Sequence, residues 1–111
     1  MTEQKEKALL EKAKRYGFEF KDFKEFANNA LTLVHWMLKE IPNGNLIGYV
    51  DAKEKAYKAA DTTILYNAAY KFLLQVLKKL QKGYIFSSIN EKDKRWRQLE
   101  MPFMKQGKTE T

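Results

Sequence analysis

Apolar residues recur at every third or fourth position over residues 23–41, the spacing that stacks side chains on one face of a helix. Asp22 and Glu25 form a capping box before this run, and Pro42 disfavours helical backbone at the residue preceding it. We predict a helix over 23–41 with its buried stripe centred on Val34. The stripe comprises Phe23, Phe26, Ala27, Ala30, Leu31, Val34, Met37, Leu38 and Ile41.

Polar residues near the start of the chain predict an earlier helix. Thr2 is an N-cap residue, acidic side chains occupy the turn after it, and Lys14 and Arg15 precede Gly17. Negative charge at the start and positive charge at the end complement the helix dipole, and glycine commonly follows a helix end. We predict a first helix between Thr2 and Gly17.

A long third helix is predicted from a second capping box, Asp51 with Glu54, to Gly83. As one unbroken helix it would be roughly 46 Å long, so we expect a kink or break near Asp61, where side chains compete for the backbone. Apolar residues occur nearly all round the helix from 65 to 80. A helix of that kind is buried on most sides, which predicts that it lies at the centre of the molecule.

A shorter fourth helix is predicted after Asn90, which can cap residues 91–100, and Pro102 should end it. Residues 105–111 have no apolar anchor and should form a flexible tail. The predicted fold is therefore all-α: a compact bundle of three main helices and a short C-terminal helix, in one domain over 1–104.

One alternative to an all-α fold stays open. Residues 46–50 and 84–86 lie outside the helical patterns and are suited to extended backbone. They could pair with each other as two short strands.

Composition narrows the classes of protein. The 111 residues include 21 Lys and Arg, 14 Asp and Glu, and no cysteine, for a net charge of +7. Without cysteine there is no disulfide framework and no thiolate metal site. The longest uncharged run, 26–38, is 13 residues, whereas a membrane-spanning helix needs about 20. With no signal-type apolar stretch at the N-terminus, we predict a cytoplasmic protein.

Patterns of the common enzyme classes are absent from the sequence. It contains no G-x-S-x-G, no Walker A loop and no G-x-G-x-x-G. His35 is the only histidine, so no recognisable set of metal ligands exists. We expect a non-enzymatic protein with no metal or cofactor, in which His35 is structural or on the surface.

Trp36 falls among polar residues on the side of the second helix opposite Val34, close to Thr32 and Lys39. Exposed tryptophan is a residue type that dominates interface energetics, so Trp36, Thr32 and Lys39 are predicted to contact a protein partner. The alternative is that another segment of the chain, such as 96–103, covers Trp36.

Two basic groups are candidate nucleic-acid contacts. Lysine and arginine neutralise phosphates, and an aromatic ring beside them can stack on an unpaired base. The alternatives are an ordinary solvated helix face for the first group and lysines that complement the helix dipole for the second. The first group is Lys92, Lys94, Arg95, Trp96 and Arg97, and the second is Lys78, Lys79 and Lys82.

These features lead us to weigh three functions. The favoured one is a self-associating helical protein that binds a protein or nucleoprotein target stoichiometrically, as an inhibitor, adaptor or immunity-type protein of the kind found in phages and mobile elements. The alternative is sequence-tolerant nucleic-acid binding through the basic C-terminal helix. The third is a small-ligand pocket lined by tyrosines. These are Tyr57, Tyr66, Tyr70 and Tyr84.

Overall fold

Three main helices, a short C-terminal helix and a four-stranded antiparallel sheet form the protein in the computed structural model, which describes residues 2–53, 55–62 and 69–106. The all-α prediction is therefore wrong, and the fold is mixed α/β. The elements are α1 (Glu3–Arg15), α2 (Phe23–Glu40), a 3-10 turn (Ile41–Asn43), β1 (Asn45–Asp51), β2 (Ala56–Ala59), α3 (Ala69–Gln81), β3 (Ile85–Asn90), β4 (Trp96–Gln98) and α4 (Pro102–Gln106).

The sheet has the strand order β2-β1-β3-β4, and each neighbouring pair is antiparallel. In the central pair Tyr49 lies opposite Phe86, so both side chains point to the same face, which we call the inner face. Trp36 of α2 packs there against Phe86, with ring centroids 5.8 Å apart. The strand pairing left open between 46–50 and 84–86 is therefore present, in a longer form.

Helices α1 and α2 begin and end close to the predicted residues. The Thr2 hydroxyl accepts a hydrogen bond from the backbone N–H of Lys5 at 3.3 Å. Asp22 accepts one from the N–H of Glu25 at 2.9 Å. The Glu25 carboxylate accepts from the N–H of Lys21 at 3.2 Å, which completes the cap one residue earlier than a standard box. Both helix starts are confirmed.

The third predicted helix is wrong in its first half. Asp51 ends β1, and its carboxylate accepts a hydrogen bond from the N–H of Lys53 at 3.0 Å, within a turn. Lys55 has a φ of 52°, which is incompatible with a right-handed helix. The chain then forms β2, which ends at Ala59. Asp61 follows this strand and does not lie within a helix, so the kink expected there is not found. Residues 63–68 lie outside the described residues.

The fourth predicted helix, over 91–100, is also replaced by a hairpin. Asn90 accepts a hydrogen bond from the N–H of Lys92 at 2.9 Å, as an N-cap would. However, Lys94 has a φ of 61°, and the chain pairs back against β3 as β4. Pro102 begins α4 instead of ending a helix, in agreement with the preference of proline for the first turn.

Helix α4 docks against α2 through Asn29, a buried residue whose side-chain oxygen accepts a hydrogen bond from the N–H of Phe103 at 3.2 Å. The ring of Phe103 also meets those of Phe18 and Phe20 edge-on, with centroids 5.4 and 5.5 Å away. The first two residues of the predicted tail, 105–111, therefore belong to a helix, and the rest of it lies outside the described residues.

Helix α3 is packed among α1, α2 and β3. The apolar segment 65–80 was expected to be buried, and its described part, from residue 69, is buried, with the sheet as part of its cover. Residues 65–68 lie outside the described residues. Gly83, with a φ of 97°, follows the helix as predicted, and the N–H of Tyr84 donates to the carbonyl of Lys79 at 3.1 Å. The buried residues of α3 are Phe72, Leu73, Leu74, Val76 and Leu77.

Helix α2 buries only part of the predicted stripe: Phe26, Ala30 and Met37 are buried as predicted, but the buried side is rotated away from Leu31 and Leu38. Leu31 and Leu38, assigned to the buried stripe, are 65% and 62% exposed, whereas Leu33, which lay outside it, is 2% exposed. At 100° per residue, Leu33 lies about 200° from Leu31, nearly on the opposite side of the helix. Self-association stays a prediction, and the two exposed leucines are apolar surface that the described fold leaves on α2.

The end of α2 is tied to the sheet by a buried carboxylate. Glu40 forms a salt bridge with Arg97 of β4, and it accepts a hydrogen bond from the side chain of Asn45 at 3.1 Å. Asn90 donates in turn to Asn45 at 3.3 Å. Because a buried carboxylate is costly unless it is paired, this network holds α2 in register with β1, β3 and β4.

Candidate nucleic-acid interface

The face of the sheet opposite the inner face, which we call the outer face, carries two exposed aromatic side chains. Tyr57 of β2 lies opposite Val50 of β1, and Trp96 of β4 lies opposite Ile89 of β3. Val50 and Ile89 are 3% and 1% exposed, whereas Tyr57 and Trp96 are 39% and 46% exposed. Apolar surface exposed beside a buried floor marks a candidate binding surface.

These residues line a single groove of about 550 Å³, which we call the outer groove. Its floor is apolar, and its aromatic residues come from strands at the two edges of the sheet. Among the described residues, the charged side chains that line it are lysines. The ammonium of Lys94 lies 5.9 Å from the ring centroid of Tyr57, so a side chain from the β3–β4 turn reaches across to β2. The lining residues are Val50, Ala52, Lys55, Ala56, Tyr57, Ile89, Lys94 and Trp96.

The turn that presents Lys94 is held by local hydrogen bonds. The N–H of Lys94 donates to the carbonyl of Asn90 at 2.9 Å, and the Asp93 carboxylate accepts from the N–H of Arg95 at 3.0 Å. Lys94 adopts left-handed backbone, which is uncommon for a residue other than glycine. The turn therefore places one cation in the groove, near the ring of Tyr57.

The first predicted basic group is divided by the sheet. Trp96 and Lys94 line the outer groove, whereas Arg97 points to the inner face and pairs with the buried carboxylate of Glu40 at the end of α2. Arg95 lies 3.6 Å from a carboxylate of its own turn. Lys92 is exposed in that turn and does not line the groove. Two of the five predicted residues thus meet at one site.

The second predicted basic group, Lys78, Lys79 and Lys82, lies near the start of β3, about 17–20 Å from the turn at its far end. Lys58 of β2, which the sequence did not single out, joins this group. The ammonium groups of Lys58 and Lys79 lie 6.0 and 5.2 Å from the ring centroid of Tyr84. Desolvation, and then the like charges of the three neighbouring lysines, lower the pKa of Lys79. This is a second positive surface, separate from the outer groove.

Tyr49 lies beneath these lysines, and burial raises the pKa of its hydroxyl to about 12. In the unfolded chain tyrosine ionises near pH 10. Between these values the unfolded state has lost a proton that the folded state keeps, so the free energy of unfolding falls as pH rises. Between about pH 9 and about pH 11.5, we expect the free energy of unfolding to fall by about 2 kcal/mol more in the wild type than in Tyr49→Phe. Urea unfolding at each pH measures this difference.

Tyr57→Phe is the matched control for this titration, because Tyr57 is an exposed tyrosine on a neighbouring strand. It should leave the fall in stability in place. An equal fall in the wild type and in Tyr49→Phe would contradict the argument.

The residues predicted to bind a protein are placed differently from the expectation. Trp36 is half-buried, with its ring against Phe86 of β3, so another segment of the chain covers part of it. The Thr32 hydroxyl donates to a carbonyl of its own helix at 3.0 Å, and Lys39 is exposed. Trp36 is thus less exposed than expected, and protein binding through Trp36, Thr32 and Lys39 stays a prediction.

The predicted tyrosine-lined pocket does not form among the described residues. Tyr57 lines the outer groove, Tyr84 contacts the lysines near the end of α3, and Tyr70 packs against aromatic rings of α2. Tyr66 lies outside the described residues. The three described tyrosines are thus on different surfaces.

His35 is exposed on α2. Within residues 2–53, 55–62 and 69–106, no group of three or more His, Cys, Asp and Glu side chains is placed to hold a metal ion. No helix in the same ranges is both long enough and apolar enough to cross a bilayer.

Sequence reasoning missed the partnership of Tyr57 and Lys55 with Trp96 and Lys94. The available indication was that side chains alternate in direction along β2, so that Tyr57 and Lys58 point to opposite faces of the sheet. A strand of four residues is too short for that alternation to be recognised against a predicted helix.

Comparisons of the chain with models of protein families, with curated proteins and with solved structures find no match.

Proposed function

We propose that the protein binds single-stranded nucleic acid in the outer groove, without sequence preference. The observation that supports this most is that Lys94, Trp96 and Tyr57 line one groove, with Lys94 near the Tyr57 ring, on a sheet face away from the helices that contact the sheet. Bases of any identity stack on aromatic rings, and lysines neutralise phosphates wherever they occur. The groove combines both kinds of contact.

A single strand fits this site better than a duplex. In a duplex the bases are stacked on each other, and their faces are not available to a side chain. Trp96 and Tyr57 flank an apolar floor, so an unpaired base that enters the groove gains a ring contact and leaves water. Sheet faces with exposed aromatic residues bind single strands by this type of contact.

The number of cations in the groove sets the expected salt dependence. In the described part of the chain, Lys55 and Lys94 are the two charged residues that line it. Each phosphate neutralised in a single strand contributes a slope of about −0.7 to the logarithm of affinity against the logarithm of salt concentration. We therefore expect a shallow slope of about −1.4 for this site.

Trp96→Ala should weaken binding of a fluorescently labelled thymidine oligonucleotide of about ten residues by about tenfold, measured by fluorescence anisotropy, because one stacked base is lost. Trp96→Phe keeps a ring and should restore most of the affinity. Lys94→Ala should weaken binding and make the salt slope shallower by about 0.7. Lys39→Ala is the matched control, since it removes the same charge from α2.

Circular dichroism of each variant separates a loss of binding from a loss of folding. Equal affinities of the wild type and a folded Trp96→Ala variant would contradict the proposal. Tighter binding of a duplex of the same length would contradict it as well.

A further inference from the structure

A second groove, of about 960 Å³, lies between α1 and α3, and we call it the helical groove. Its floor contains Leu74, which is buried, and Leu9, which is half-buried. Tyr16 and Tyr70 lie at its walls, and Ala8 is exposed within it. The groove is therefore an apolar channel between two helices and open to solvent.

Counting the described residues, the rim of the helical groove carries four lysines and no acidic residue. Each helix contributes two lysines, seven residues apart, with a leucine between them. Seven residues of helix correspond to about 10.5 Å along the axis, so both walls present charges at the same interval. The sets are Lys5, Leu9 and Lys12 on α1, and Lys71, Leu74 and Lys78 on α3.

The rim lysines have no ion-pair partner within the part of the chain that the structure describes. The salt bridges there join Lys14 with Glu19, Arg95 with Asp93, and Arg97 with Glu40. The rim lysines are thus not engaged in ion pairs with the described residues, and a complementary ligand is negative on both sides of an apolar surface.

We propose that the helical groove binds an amphipathic helix of a partner protein, with an apolar seam flanked by acidic residues. A third helix can lay its seam between two helices, as side-chain ridges pack into grooves. Acidic residues about seven positions apart on either side of the seam would match the lysines on both walls, as charges flank a coiled-coil seam.

The pattern of four charges around apolar residues favours a helix over other anions. A fatty acid carries one carboxylate and would leave most of the rim unpaired. A nucleic-acid strand carries evenly spaced phosphates but no aliphatic face to cover Leu9, Ala8 and Leu74. The sequence also favoured a protein as the partner. The residues proposed here to bind it line the helical groove and do not include Trp36 or Lys39.

The test uses the full chain and a designed helical peptide of about 18 residues, labelled with fluorescein, with leucine in its seam and glutamate beside it. Fluorescence anisotropy should show saturable binding. A peptide with lysine in place of the glutamates, and one with glutamine in place of the leucines, should each bind at least about tenfold more weakly.

Lys12→Glu with Lys78→Glu should weaken binding of the glutamate peptide by about tenfold or more and strengthen binding of the lysine peptide. Lys7→Glu is the matched control, because Lys7 lies on α1 but does not line the groove. Its affinity for the glutamate peptide should stay within about twofold of the wild type, since a distant exposed charge contributes little.

The outcomes separate the proposal from its alternatives. Equal binding of the leucine and glutamine peptides would overturn it, because the lysines would then attract any polyanion. Displacement of the peptide by equimolar dodecanoate would overturn it in favour of a lipid ligand. Trp96→Ala should leave peptide affinity unchanged, so this proposal stands or fails independently of nucleic-acid binding in the outer groove.

Discussion

Leu33→Ala is expected to lower the free energy of unfolding by about 2–5 kcal/mol, whereas Leu31→Ala should change it by less than about 0.5 kcal/mol. The two leucines lie on one helix, two residues apart, and the substitution is the same. Leu33 is buried on the side of α2 that meets the core, while the side chain of Leu31 is in water. Removing Leu33 leaves a cavity, and removing Leu31 leaves none.

Urea unfolding followed by circular dichroism measures both values, with the slope against urea concentration as a check that the unfolded states are comparable. Leu31→Ala also serves as the control for helix propensity, because alanine is the best helix former at either position. Equal losses at the two positions, or a larger loss at Leu31, would contradict the orientation of α2.

Gly48→Val is expected to destabilise the protein by about 3 kcal/mol. A Cβ at this position would lie 2.6 Å from the backbone oxygen of Lys58 and 3.0 Å from Cδ1 of Ile89. The oxygen belongs to the main chain of β2 and retreats only if that strand moves. Because Tyr57 also lies on β2, the substitution displaces one wall of the outer groove.

Hydrogen exchange distinguishes this mechanism from a general loss of stability. The amides of the β1–β2 pair should lose protection first, while those of β3 paired with β1 remain protected longer. Gly48→Ala should fall between glycine and valine in stability. A stable Gly48→Val variant with protected β1–β2 amides would show that β2 does not approach Gly48 closely.

Helix ends were predictable because short-range hydrogen bonds set them. Thr2 and Asp22 each accept from an N–H three residues later, and Gly83 supplies the left-handed backbone that ends α3. Each of these features depends on a few consecutive residues, so the sequence contains all the information that they require.

The same short-range chemistry caused the two main errors. The side-chain oxygens of Asp51 and Asn90 each accept from an N–H two residues later. Hydrogen bonds of this type form in turns as well as near helix starts. The chain after each turn is a strand because it pairs with β1 or β3. These two strands in turn pair with each other over a longer distance, since Tyr49 lies opposite Phe86, 37 positions along the chain. The stabilisation that comes from pairing with such a strand cannot be inferred from the residues around the turn.

The candidate site was predictable in part. The proximity of Trp96 to Lys94 and its aromatic character are visible in the sequence, and both residues line the outer groove. Tyr57 and Lys55 join them only because β2 and β4 form the two edges of one sheet. Arg97, equally basic in sequence, points to the other face because side chains alternate along a strand.

By itself the sequence determined where α1, α2 and the end of α3 lie, and that α3 is apolar enough to be buried. The tertiary structure decided which side of α2 faces inward. That side includes two polar residues, Asn29 and Glu40, which are buried because Phe103 and Arg97 pair with them from distant positions. The pattern of apolar residues predicts that such polar side chains face solvent. Their burial is stabilised by partners that only folding brings near, so the pattern cannot reveal it.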